Sequence, residues 1–389
     1  MNYILFDGPV RNDLLPFTYT RPVADIRVGV LTIREKWEAY LQQETSTKTE
    51  DYLSGKWPIK FDENNVFINS SILPTPGMVA AVNKLQVGEK LVEDELVIAY
   101  YQNEKDADIE DFKSIQFDEE VTQIAKTWDI FSKNDKAIKL DFDFLTQNRK
   151  SQPIDTSNFV KSPENIFIEE GASVENCSLN ASSGLIYIGK NATIMEGSLI
   201  RGPLALCEGA TIKLGAKIYG PTTIGPACKA GGEISNSVLF QNSNKGHDGF
   251  LGNSVLGEWC NIGADSNNSN LKNNYAEVRL WNYNTENFAK TGLQFCGLIM
   301  GDHSKCGINT MFNTGTVVGV SANIFGSGFP RNFIPSFSWG GSAGTSTYKL
   351  AKVFETSRLV MQRRGEELTE EDEKILSHVF ESSAKWRKN

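Results

Sequence analysis

Residues 188–224 read IGKNATIMEGSLIRGPLALCEGATIKLGAKIYGPTTI. A large aliphatic residue recurs here at every sixth position, and the residue two places before it is mostly small. Neither the helical period of 3.6 nor the strand period of 2 produces a strict period of six. The large residues are Ile188, Ile194, Ile200, Leu206, Ile212, Ile218 and Ile224, and the preceding ones are Ile186, Ala192, Ser198, Leu204, Ala210, Ala216 and Thr222.

A six-residue repeat is typical of a parallel β-helix, in which short strands form the faces of a triangular coil. The large residue fills the interior, and the small one leaves room for the turn. Stacked coils, about 4.8 Å apart, then bury one continuous aliphatic column. A chance run of β-branched residues in an ordinary sandwich does not account for so many consecutive matches. We therefore predict a parallel β-helix.

The same repeat can be followed beyond this stretch. It breaks at Gly231-Gly232, resumes in a new phase, and breaks again between Asp265 and Gly297. We therefore predict a solenoid over residues 165–335 with two excursions, and loops that leave a rigid solenoid are where function is placed. The interior residues predicted after the first break are Phe250, Leu256 and Ile262, and those after the second are Met300, Cys306, Phe312, Val318 and Ile324.

The regions on either side of the solenoid lack the repeat. Residues 1–150 alternate strands with helices, which predicts an α/β domain. A polar segment at 146–163 is the predicted connection, and a helical tail is predicted over 342–389, covering the free edge of the coil. The predicted elements are strands 3–6, 66–68 and 96–101, a loop at 42–54, and helices 33–41, 76–85, 348–364 and 370–385.

Composition excludes several classes of protein. The net charge is −9, so no global basic field attracts nucleic acid or an anionic membrane. No apolar run approaches eighteen residues, and the first ten residues lack the basic start of a signal peptide. The six cysteines show no paired metal-ligand spacing, so we predict no metal site, buried free thiols and a cytoplasmic protein.

One histidine occupies a position suited to chemistry. His247 stands between Gly246 and Gly249 in a loop that leaves the coil. A neutral imidazole can accept a proton from an attacking amine near pH 7. A surface histidine without a role is the alternative, and His247 alone does not decide between the two.

The surrounding residues resemble the acetyltransferase domain of GlmU-type enzymes. These are bifunctional N-acetylglucosamine-1-phosphate uridylyltransferase and glucosamine-1-phosphate N-acetyltransferase proteins. The resemblance is closer to the archaeal sugar-1-phosphate forms, and it implies that the β-helix is left-handed. The motifs that carry it are Gly246-His247, Phe250-Leu251-Gly252, Asn261-Ile262-Gly263-Ala264, Asn270, Gly301-Asp302-His303 and Gly307-Ile308-Asn309-Thr310.

This resemblance implies roles for individual residues. His247 corresponds to the general base that deprotonates the sugar amine for attack on acetyl-CoA. Three departures from the family, at Phe250, Leu271 and Ser235, mean that other groups must bind the sugar phosphate. The residues expected to bind substrate are Asn261, Asn270, Lys245, Lys272 and Arg279, and those expected to hold the pantetheine arm of acetyl-CoA are Ile308 and Gly326.

The N-terminal segment resembles a shortened sugar nucleotidyltransferase. Residues 14–18, LLPFT, match the motif that follows the glycine-rich loop of that family, but the loop is reduced to Gly8. Arg11 and Arg21 are the basic residues expected near a nucleotide. Where the family has a magnesium-binding aspartate, the chain has Asn69-Ser70-Ser71. Mg²⁺ is therefore expected only if this domain is an active nucleotidyltransferase.

These observations predict a transferase. The leading hypothesis is an acetyl-CoA-dependent N-acetyltransferase acting on a hexosamine 1-phosphate in nucleotide-sugar biosynthesis. One alternative is a sugar-1-phosphate uridylyl- or thymidylyltransferase whose β-helix serves oligomerisation, and another is a non-catalytic sugar-phosphate-binding scaffold. We expect a homotrimer, because a triangular solenoid packs readily about a threefold axis. The excursion at 265–297, with Tyr275, Trp281, Tyr283 and Phe288, is expected to reach a neighbouring copy.

Overall fold

A parallel β-solenoid forms the centre of the molecule in the computed structural model, which describes residues 1–104 and 108–387. An α/β region precedes the solenoid, and a helical tail follows it. The predicted fold class, an α/β region followed by a left-handed parallel β-helix and C-terminal helices, is confirmed.

The N-terminal region is built on a mixed six-stranded sheet. Its first three strands are parallel, and the remaining strands include two antiparallel pairings. The loop predicted over 42–54 is wrong, because this segment supplies an edge strand and a short helix. In spatial order the strands are Ser46–Lys48, Asn2–Phe6, Asn65–Asn69, Leu96–Gln102, Glu89–Glu93 and Lys113–Gln116, and a separate pair is Ile72–Leu73 with Thr122–Gln123.

Capping boxes begin two of the helices. Thr32 and Glu35 exchange the paired side-chain and backbone hydrogen bonds at one start, and Thr369 and Asp372 do so at the other. The α-helices are Ile33–Leu41, Asp51–Ser54, Pro76–Val82, Asp129–Ser132, Asn134–Thr146, Leu350–Gln362 and Glu370–Ser382. The 3₁₀ helices are Pro9–Leu14, Phe17–Tyr19, Val23–Asp25, Ile109–Asp111, Pro163–Asn165 and Ala384–Trp386.

The solenoid has three faces, each a ladder of short parallel strands. The first face consists of Ile166–Ile168, Ile186–Ile188, Leu204–Leu206, Thr222–Ile224, Val238–Leu239, Val255–Leu256, Leu298–Met300, Thr316–Val318 and Phe333–Ile334. The second face consists of Ser173–Val174, Thr193–Ile194, Thr211–Ile212, Lys229–Ala230, Asn244–Lys245, Asn261–Ile262, Lys305–Cys306, Asn323–Ile324 and Ser338–Gly341, with Gly344–Thr347 antiparallel at its edge.

The third face is interrupted partway along the solenoid. Its continuous ladder consists of Phe159–Lys161, Ser178–Asn180, Leu199–Arg201, Lys217–Tyr219, Glu233–Ser235 and Phe250–Gly252. The pair Asn267–Asn268 and Met311–Phe312 continues it as a separate two-stranded ladder. The solenoid therefore begins within the predicted connection, because Phe159–Lys161 already belongs to a coil. The division into domains at 1–150, 165–335 and 342–389 stays a prediction.

The interior of the coil matches the six-residue pattern. The seven large residues from Ile188 to Ile224 are at most 2% exposed, and equivalent residues stack one coil apart. After the first break, however, the predicted interior position of Phe250 is wrong. Leu251 points inward beneath it, while Phe250 faces outward. The coil from Ala230 to Lys245 is three residues shorter than the coil before it, and this shift changes the phase.

The first face is buried on both of its sides. Its outward residues, which alternate with the interior ones, are as inaccessible as the interior. The N-terminal region, the second excursion and the C-terminal helices cover them and share one core. The helices therefore pack along this face and do not close the end of the coil. The outward residues are Ala205, Thr223, Val238, Val255, Ile299 and Val317, each at most 1% exposed.

The second excursion folds back onto its own chain. It forms the hairpin Arg279–Asn282 with Asn287–Lys290. Tyr283 is 5% exposed and packs edge-on against Tyr19, and Trp281 stacks on Phe333. The expectation that these aromatics anchor a neighbouring copy is therefore wrong for Trp281 and Tyr283. Tyr275, at 66%, and Phe288, at 37%, remain exposed.

A buried ion-pair network joins the N-terminal region to the solenoid. The Arg21 guanidinium contacts the Asp302 carboxylate, and its Nη1 lies 2.6 Å from Oε1 of Glu258. Asp302 also accepts hydrogen bonds from Thr20 Oγ1, at 2.7 Å, and from the Glu258 backbone, at 2.9 Å. Arg21 and Asp302 are only 5% and 4% exposed in their side chains. Removing one partner would therefore leave a buried charge without compensation.

We predict that Arg21→Gln lowers the free energy of unfolding by about 3–5 kcal/mol, because Asp302 keeps a buried charge without its cation. The matched control is Lys139→Gln, which breaks an exposed pair with Asp143 and should cost less than about 1 kcal/mol. Urea denaturation followed by tryptophan fluorescence measures both. Equal losses for the two variants would contradict the structural role of Arg21.

Candidate functional site

His247 lies on the edge of the solenoid where the second face meets the third. We call residues 246–249 the His247 corner; they connect strand Asn244–Lys245 to strand Phe250–Gly252. His247 and Asp248 are exposed, whereas Lys245 is 1% exposed. The exposed imidazole can therefore meet a ligand that approaches this edge.

The strand register aligns His247 with two of the predicted acetyl-CoA residues. The register pairs Asn244 with Asn261, Ile262 with Cys306, and Cys306 with Ile324. Counting two residues on from the inward residue of each coil gives His247, Ala264, Ile308 and Gly326. With coils about 4.8 Å apart, these four residues form a column along one edge, and Ile308 is two coils from His247.

The far end of this column is open and apolar. Ile308 is 70% exposed, and its neighbour Phe325, in the next coil, is 42% exposed. Gly326 has a φ of +105°, and a Cβ added there would meet no atom within 4 Å. Exposed apolar side chains beside an unobstructed backbone suit a long, flexible ligand.

Asparagine side chains close the interruption in the third face. Asn267 Oδ1 accepts the backbone N–H of Phe250 at 2.8 Å, and Asn268 Oδ1 accepts that of Gly252 at 2.9 Å. These amides take the place of the backbone carbonyls that a regular ladder would supply. Asn267 and Asn268 were not among the predicted site residues, although the polar run Asn267-Asn268-Ser269-Asn270 was a sequence signal for them.

The outer side of this strand connects the His247 corner with Asn270. A Cβ on Gly252 would collide with the Phe250 ring and would lie 2.8 Å from Nδ2 of Asn270. Asn270 Nδ2 donates to Oδ1 of Asn253 at 2.8 Å. Phe250 therefore covers the surface between the two residues with an apolar ring.

Asn261 lies on a different surface. It is exposed on the outer side of the second face, where its Oδ1 accepts a hydrogen bond from Asn244 Nδ2 at 3.5 Å. The structure therefore does not bring Asn261 onto the third-face surface that carries Phe250 and Asn270.

Basic side chains gather on the hairpin of the second excursion. Arg279 is opposite Lys290 in the hairpin, and both line a shallow depression of about 500 Å³ with Lys272. Lys272 Nζ donates to the Glu277 carbonyl at 2.8 Å, and Lys290 lies 3.8 Å from the Glu277 carboxylate. The three cations face a single carboxylate, so the depression suits an anion. Lys290 is an addition to the predicted residues. Its pairing with Arg279 in the hairpin places it here, and that hairpin was not predicted from the sequence.

Lys245 does not lie on a binding surface. It occupies an interior position of the coil, where the adjacent coils have Ala230 and Ile262. Its Nζ donates to three backbone carbonyls, those of Gly231 at 3.0 Å, His247 at 2.5 Å and Asp248 at 3.3 Å. These bonds use all three protons of the ammonium. The structure therefore places Lys245 beneath the corner and not beside a sugar phosphate.

Burial also changes the ionisation of this lysine. Desolvation lowers the pKa of Lys245 to about 8, and Asp248, Cys306 and Asp265 act in the opposite direction. The ammonium is thus the charged form near neutral pH, but it loses its proton much more readily than an exposed lysine.

The predicted nucleotide-binding arginines are engaged elsewhere. Arg11 is 8% exposed, and its guanidinium binds the Tyr52 hydroxyl at 2.7 Å and the Asp7 carboxylate at 3.3 Å. Arg21 binds the two solenoid carboxylates described above. Gly8 approaches the Asn69 side chain, so that a Cβ would lie 3.3 Å from Oδ1. Neither arginine projects from this region as a free cation.

The residues present do not fit a magnesium site. Asn69 Oδ1 accepts hydrogen bonds from the Ser71 backbone and hydroxyl, and its Nδ2 donates to the Val97 carbonyl. The nearby carboxylate of Asp7 is held by Thr49 and Val23, and burial raises its pKa. Mg²⁺ prefers carboxylates that are free to coordinate it.

Among residues 1–104 and 108–387, no three His, Cys, Asp or Glu side chains form a group that could hold a metal ion. Within the same residues, no helix has the length and apolar character needed to cross a membrane. The six cysteines are free and buried, as predicted.

Comparison with known proteins supports the resemblance seen in the sequence. Residues 3–150 match a family model described as sugar nucleotidyl transferase. The bifunctional protein GlmU of Methanocaldococcus jannaschii is 28% identical over 30% of this chain and 26% of its own length. GlmU of Rippkaea orientalis is 28% identical over 32% of this chain and 24% of its own, and GlmU of Methanococcus vannielii is 25% identical over 52% and 42%.

These matches confirm the predicted resemblance to GlmU-type proteins, and the chain spans about a quarter of the length of the first two relatives. A solved structure of an Arabidopsis UDP-N-acetylglucosamine acyltransferase is also similar. It is 16% identical, covers 60% of this chain and 91% of its own, and has a TM-score of 0.23. The family model that matches residues 3–150 is named as a transferase, in agreement with the predicted class.

The lowered pKa of Lys245 gives a prediction on stability. Below pH 8 the lysine is protonated in both folded and unfolded chains, and the desolvation of its buried charge lowers the free energy of unfolding by the full amount. Between pH 8 and 10.5 the folded chain releases this proton first, so the unfolded chain binds more protons and stability rises with pH. The parent should therefore gain about 3 kcal/mol more stability over this range than Lys245→Met, which lacks the buried amine.

Urea denaturation of both proteins from pH 7 to pH 10 measures this difference. Groups common to both, including Lys305 with its lowered pKa, cancel in the comparison. Parallel stability curves for the two proteins would show that Lys245 titrates as an ordinary exposed lysine.

Proposed function

We propose that the chain is an acetyl-CoA-dependent N-acetyltransferase acting on a hexosamine 1-phosphate. The observation that carries this proposal is the alignment of His247 with Ile308 and Gly326 along one edge of the solenoid. His247 would supply the base, and Ile308 and Gly326 form an apolar, unobstructed surface two and three coils away. This arrangement suits acetyl-CoA, whose acetyl thioester lies at the end of the long pantetheine arm.

In the proposed reaction His247 acts as the general base. The ammonium of a hexosamine has no lone pair with which to attack, so the amine must be neutral. As the nitrogen forms a bond to the acetyl carbonyl carbon, His247 accepts its proton. The carbon–sulfur bond then breaks, and the thiol leaves with a proton. A positioned base of this kind contributes roughly 10²–10⁴-fold in rate.

The acceptor sugar would lie on the outer side of the third face. Phe250 offers an apolar ring face beside His247, and Asn270 offers an amide at the other end of the strand. Stacking of a sugar ring on an aromatic side chain, with an amide to orient a hydroxyl, is a common way to bind carbohydrate. We assign no sugar contact to Asn261, which lies on the second face, or to Lys245.

The phosphate of the acceptor would be bound by the basic hairpin. Lys272, Arg279 and Lys290 surround the depression, and Glu277 compensates only part of their charge. Arginine and lysine are the usual phosphate ligands, arginine by bidentate hydrogen bonds and lysine as a point charge. We also assign the protein to the cytoplasm, because all six cysteines are free.

Nucleotidyl transfer by the N-terminal region is the second candidate function. The family match over residues 3–150 favours it. The engaged arginines and the Asn69 hydrogen bonds count against it, because Arg11 and Arg21 are not free to bind a triphosphate and Asn69 offers no carboxylate to Mg²⁺. Pyrophosphate release from UTP or dTTP with a sugar 1-phosphate tests this activity, and Mg²⁺ would be required only for it.

We predict that His247→Ala lowers kcat for acetyl transfer to glucosamine 1-phosphate by about 10²–10⁴-fold, because the amine loses its proton acceptor. Binding of acetyl-CoA should be unchanged. In contrast, Ile308→Glu should mainly raise KM for acetyl-CoA, because it puts a charge on the apolar wall. Both variants alter exposed side chains, so folding should be retained.

Thiol release from acetyl-CoA measures turnover, and isothermal titration calorimetry measures acetyl-CoA binding. An unchanged kcat in His247→Ala would remove the assignment of the base. If the parent releases no thiol with any hexosamine 1-phosphate, the acetyltransferase proposal fails, and a non-catalytic sugar-phosphate scaffold becomes the better account.

We further propose that the functional unit is a homotrimer. The first face is covered by the chain itself, so the second and third faces remain for contacts between copies. The third face presents exposed apolar residues at its start, Phe159 at 81% and Leu199 at 56%. Exposed apolar side chains on a flat strand surface are typical of an interface.

We predict that Leu199→Asp converts the trimer into monomers, because a buried carboxylate would stand in the contact. The control is Leu359→Asp, which alters a similarly exposed leucine, at 59%, on a C-terminal helix. Light scattering should give three times 43.1 kDa for the parent and the control, and 43.1 kDa for Leu199→Asp. A monomeric parent at working concentration would contradict the proposed assembly.

A further inference from the structure

The His247 corner differs from the form that four equivalent corners of the solenoid share, as do the corners after Val174, Ala230 and Ile324. In four coils the third residue after the inward one has a left-handed backbone, at Gly197, Gly215, Asp265 and Asn309, with φ between +54° and +74°. At the His247 corner the left-handed residue comes one position later, at Gly249, with a φ of +108°. A Cβ on Gly249 would collide with the Ser266 carbonyl, so the shifted corner requires glycine.

The hydrogen bonds between coils shift in the same way. At three of these corners the left-handed residue donates its N–H to the preceding coil. The acceptor is the carbonyl of the second residue after the inward residue of that coil. The bonds run from Gly197 to Asn176, from Gly215 to Glu196 and from Asn309 to Ala264, at 2.9, 3.1 and 2.8 Å.

His247 has the equivalent carbonyl in its own coil, but it receives no such bond from the next coil. The N–H of Asp265 donates instead to Asp248, at 3.1 Å. The carbonyl of His247 would therefore lack its regular donor.

Lys245 supplies the missing donor from inside the coil. Its Nζ lies 2.5 Å from the His247 carbonyl and also binds the carbonyls of Gly231 and Asp248, so one ammonium joins three backbone groups of two coils. The inward positions of neighbouring coils hold Ile212, Ala230, Ile262 and Cys306. A charged residue at such a position is costly unless its hydrogen bonds are satisfied.

We propose that Lys245 is a positioning residue, which holds the displaced corner so that His247 faces the acceptor. It touches no substrate and acts through the backbone of His247 and Asp248. The effect of Lys245 on catalysis rests on the proposed function. The ordering of the corner by Lys245 does not depend on that function. The lowered pKa of Lys245 agrees with an ammonium that burial removes from water.

The test replaces Lys245 by methionine, which fills the same interior space and cannot donate a hydrogen bond. The matched control is Ile262→Met, an inward substitution in the next coil without carbonyl contacts. Lys245→Gln is a second variant, which keeps a donor for one carbonyl and remains informative if methionine prevents folding.

Two measurements decide the outcome. Hydrogen exchange followed by mass spectrometry should show faster amide exchange in Lys245→Met at Glu233 and Asp265, whose N–H groups donate to the carbonyls of Gly249 and Asp248. Exchange should not change at Asn309, which donates at a regular corner, or in Ile262→Met. Acetyl transfer should show kcat lowered by about 10–100-fold with KM for both substrates unchanged within about twofold, because the base is displaced while the binding surfaces are intact. Lys245→Gln should be intermediate in both.

The role of Lys245 in the corner and its role in catalysis are tested separately. Unchanged exchange at Glu233 and Asp265 would overturn the role of Lys245 in the corner, whatever the activity of the parent. Faster exchange with an unchanged kcat would overturn its role in positioning the base. A parent that releases no thiol would remove the proposed function, and the exchange experiment would still decide whether Lys245 holds the corner.

Discussion

The outer side of the first face has to be kept from water, and the arrangement of the rest of the chain follows from this. A strand that is apolar on both sides has to be covered on both, as in buried parallel sheets. The coil covers its own interior, and the N-terminal region, the hairpin and the C-terminal helices cover the outside. The second and third faces remain exposed, and the His247 corner is the edge that these two faces share.

The parallel ladder imposes a second constraint, because it keeps equivalent corners of successive coils in one line. Ile262 and Cys306 are separated by the whole second excursion, yet they pair as direct neighbours in the second face. Residues remote in sequence, His247 and Ile308, are thereby brought to one edge. The ladder also limits where a corner can deviate, and Asn267 and Asn268 compensate on the third face for backbone bonds that it lacks.

The sequence predicted the solenoid well because its interior repeats. Each coil presents the same cavity, so the same residue types recur and the period can be read directly. Phe250 was assigned to the interior because a shortened coil shifts the phase by an amount that a period of six does not reveal. Lys245 was read as a surface residue for the same reason, since nothing in its local sequence marks it as inward.

The outcome for the remaining site residues depends on tertiary contacts. Arg11 and Arg21 stand at motif positions, but their partners are Asp7, Glu258 and Asp302, which a motif does not identify. Trp281 and Tyr283 have the character of interface aromatics, and the chain uses them to cover its own first face. The alignment of His247 with Ile308 and Gly326 was foreseeable only through the family resemblance, because excursions of different length separate them in sequence.

Lys245 and Arg21 show two uses of a buried cation. Arg21 joins two regions through carboxylates, and its charge is compensated by opposite charge. Lys245 has only carbonyl dipoles within bonding distance, and desolvation by burial lowers its pKa to about 8 because no contacting carboxylate offsets it. An aliphatic residue there would suit the coil better, as in its neighbours. Lys245 is a destabilising residue at a position where the repeat calls for an apolar one. Such conflicts between local sequence and fold are expected at functional sites. The energetic penalty at position 245 therefore adds to the evidence that the adjacent corner has a role beyond folding.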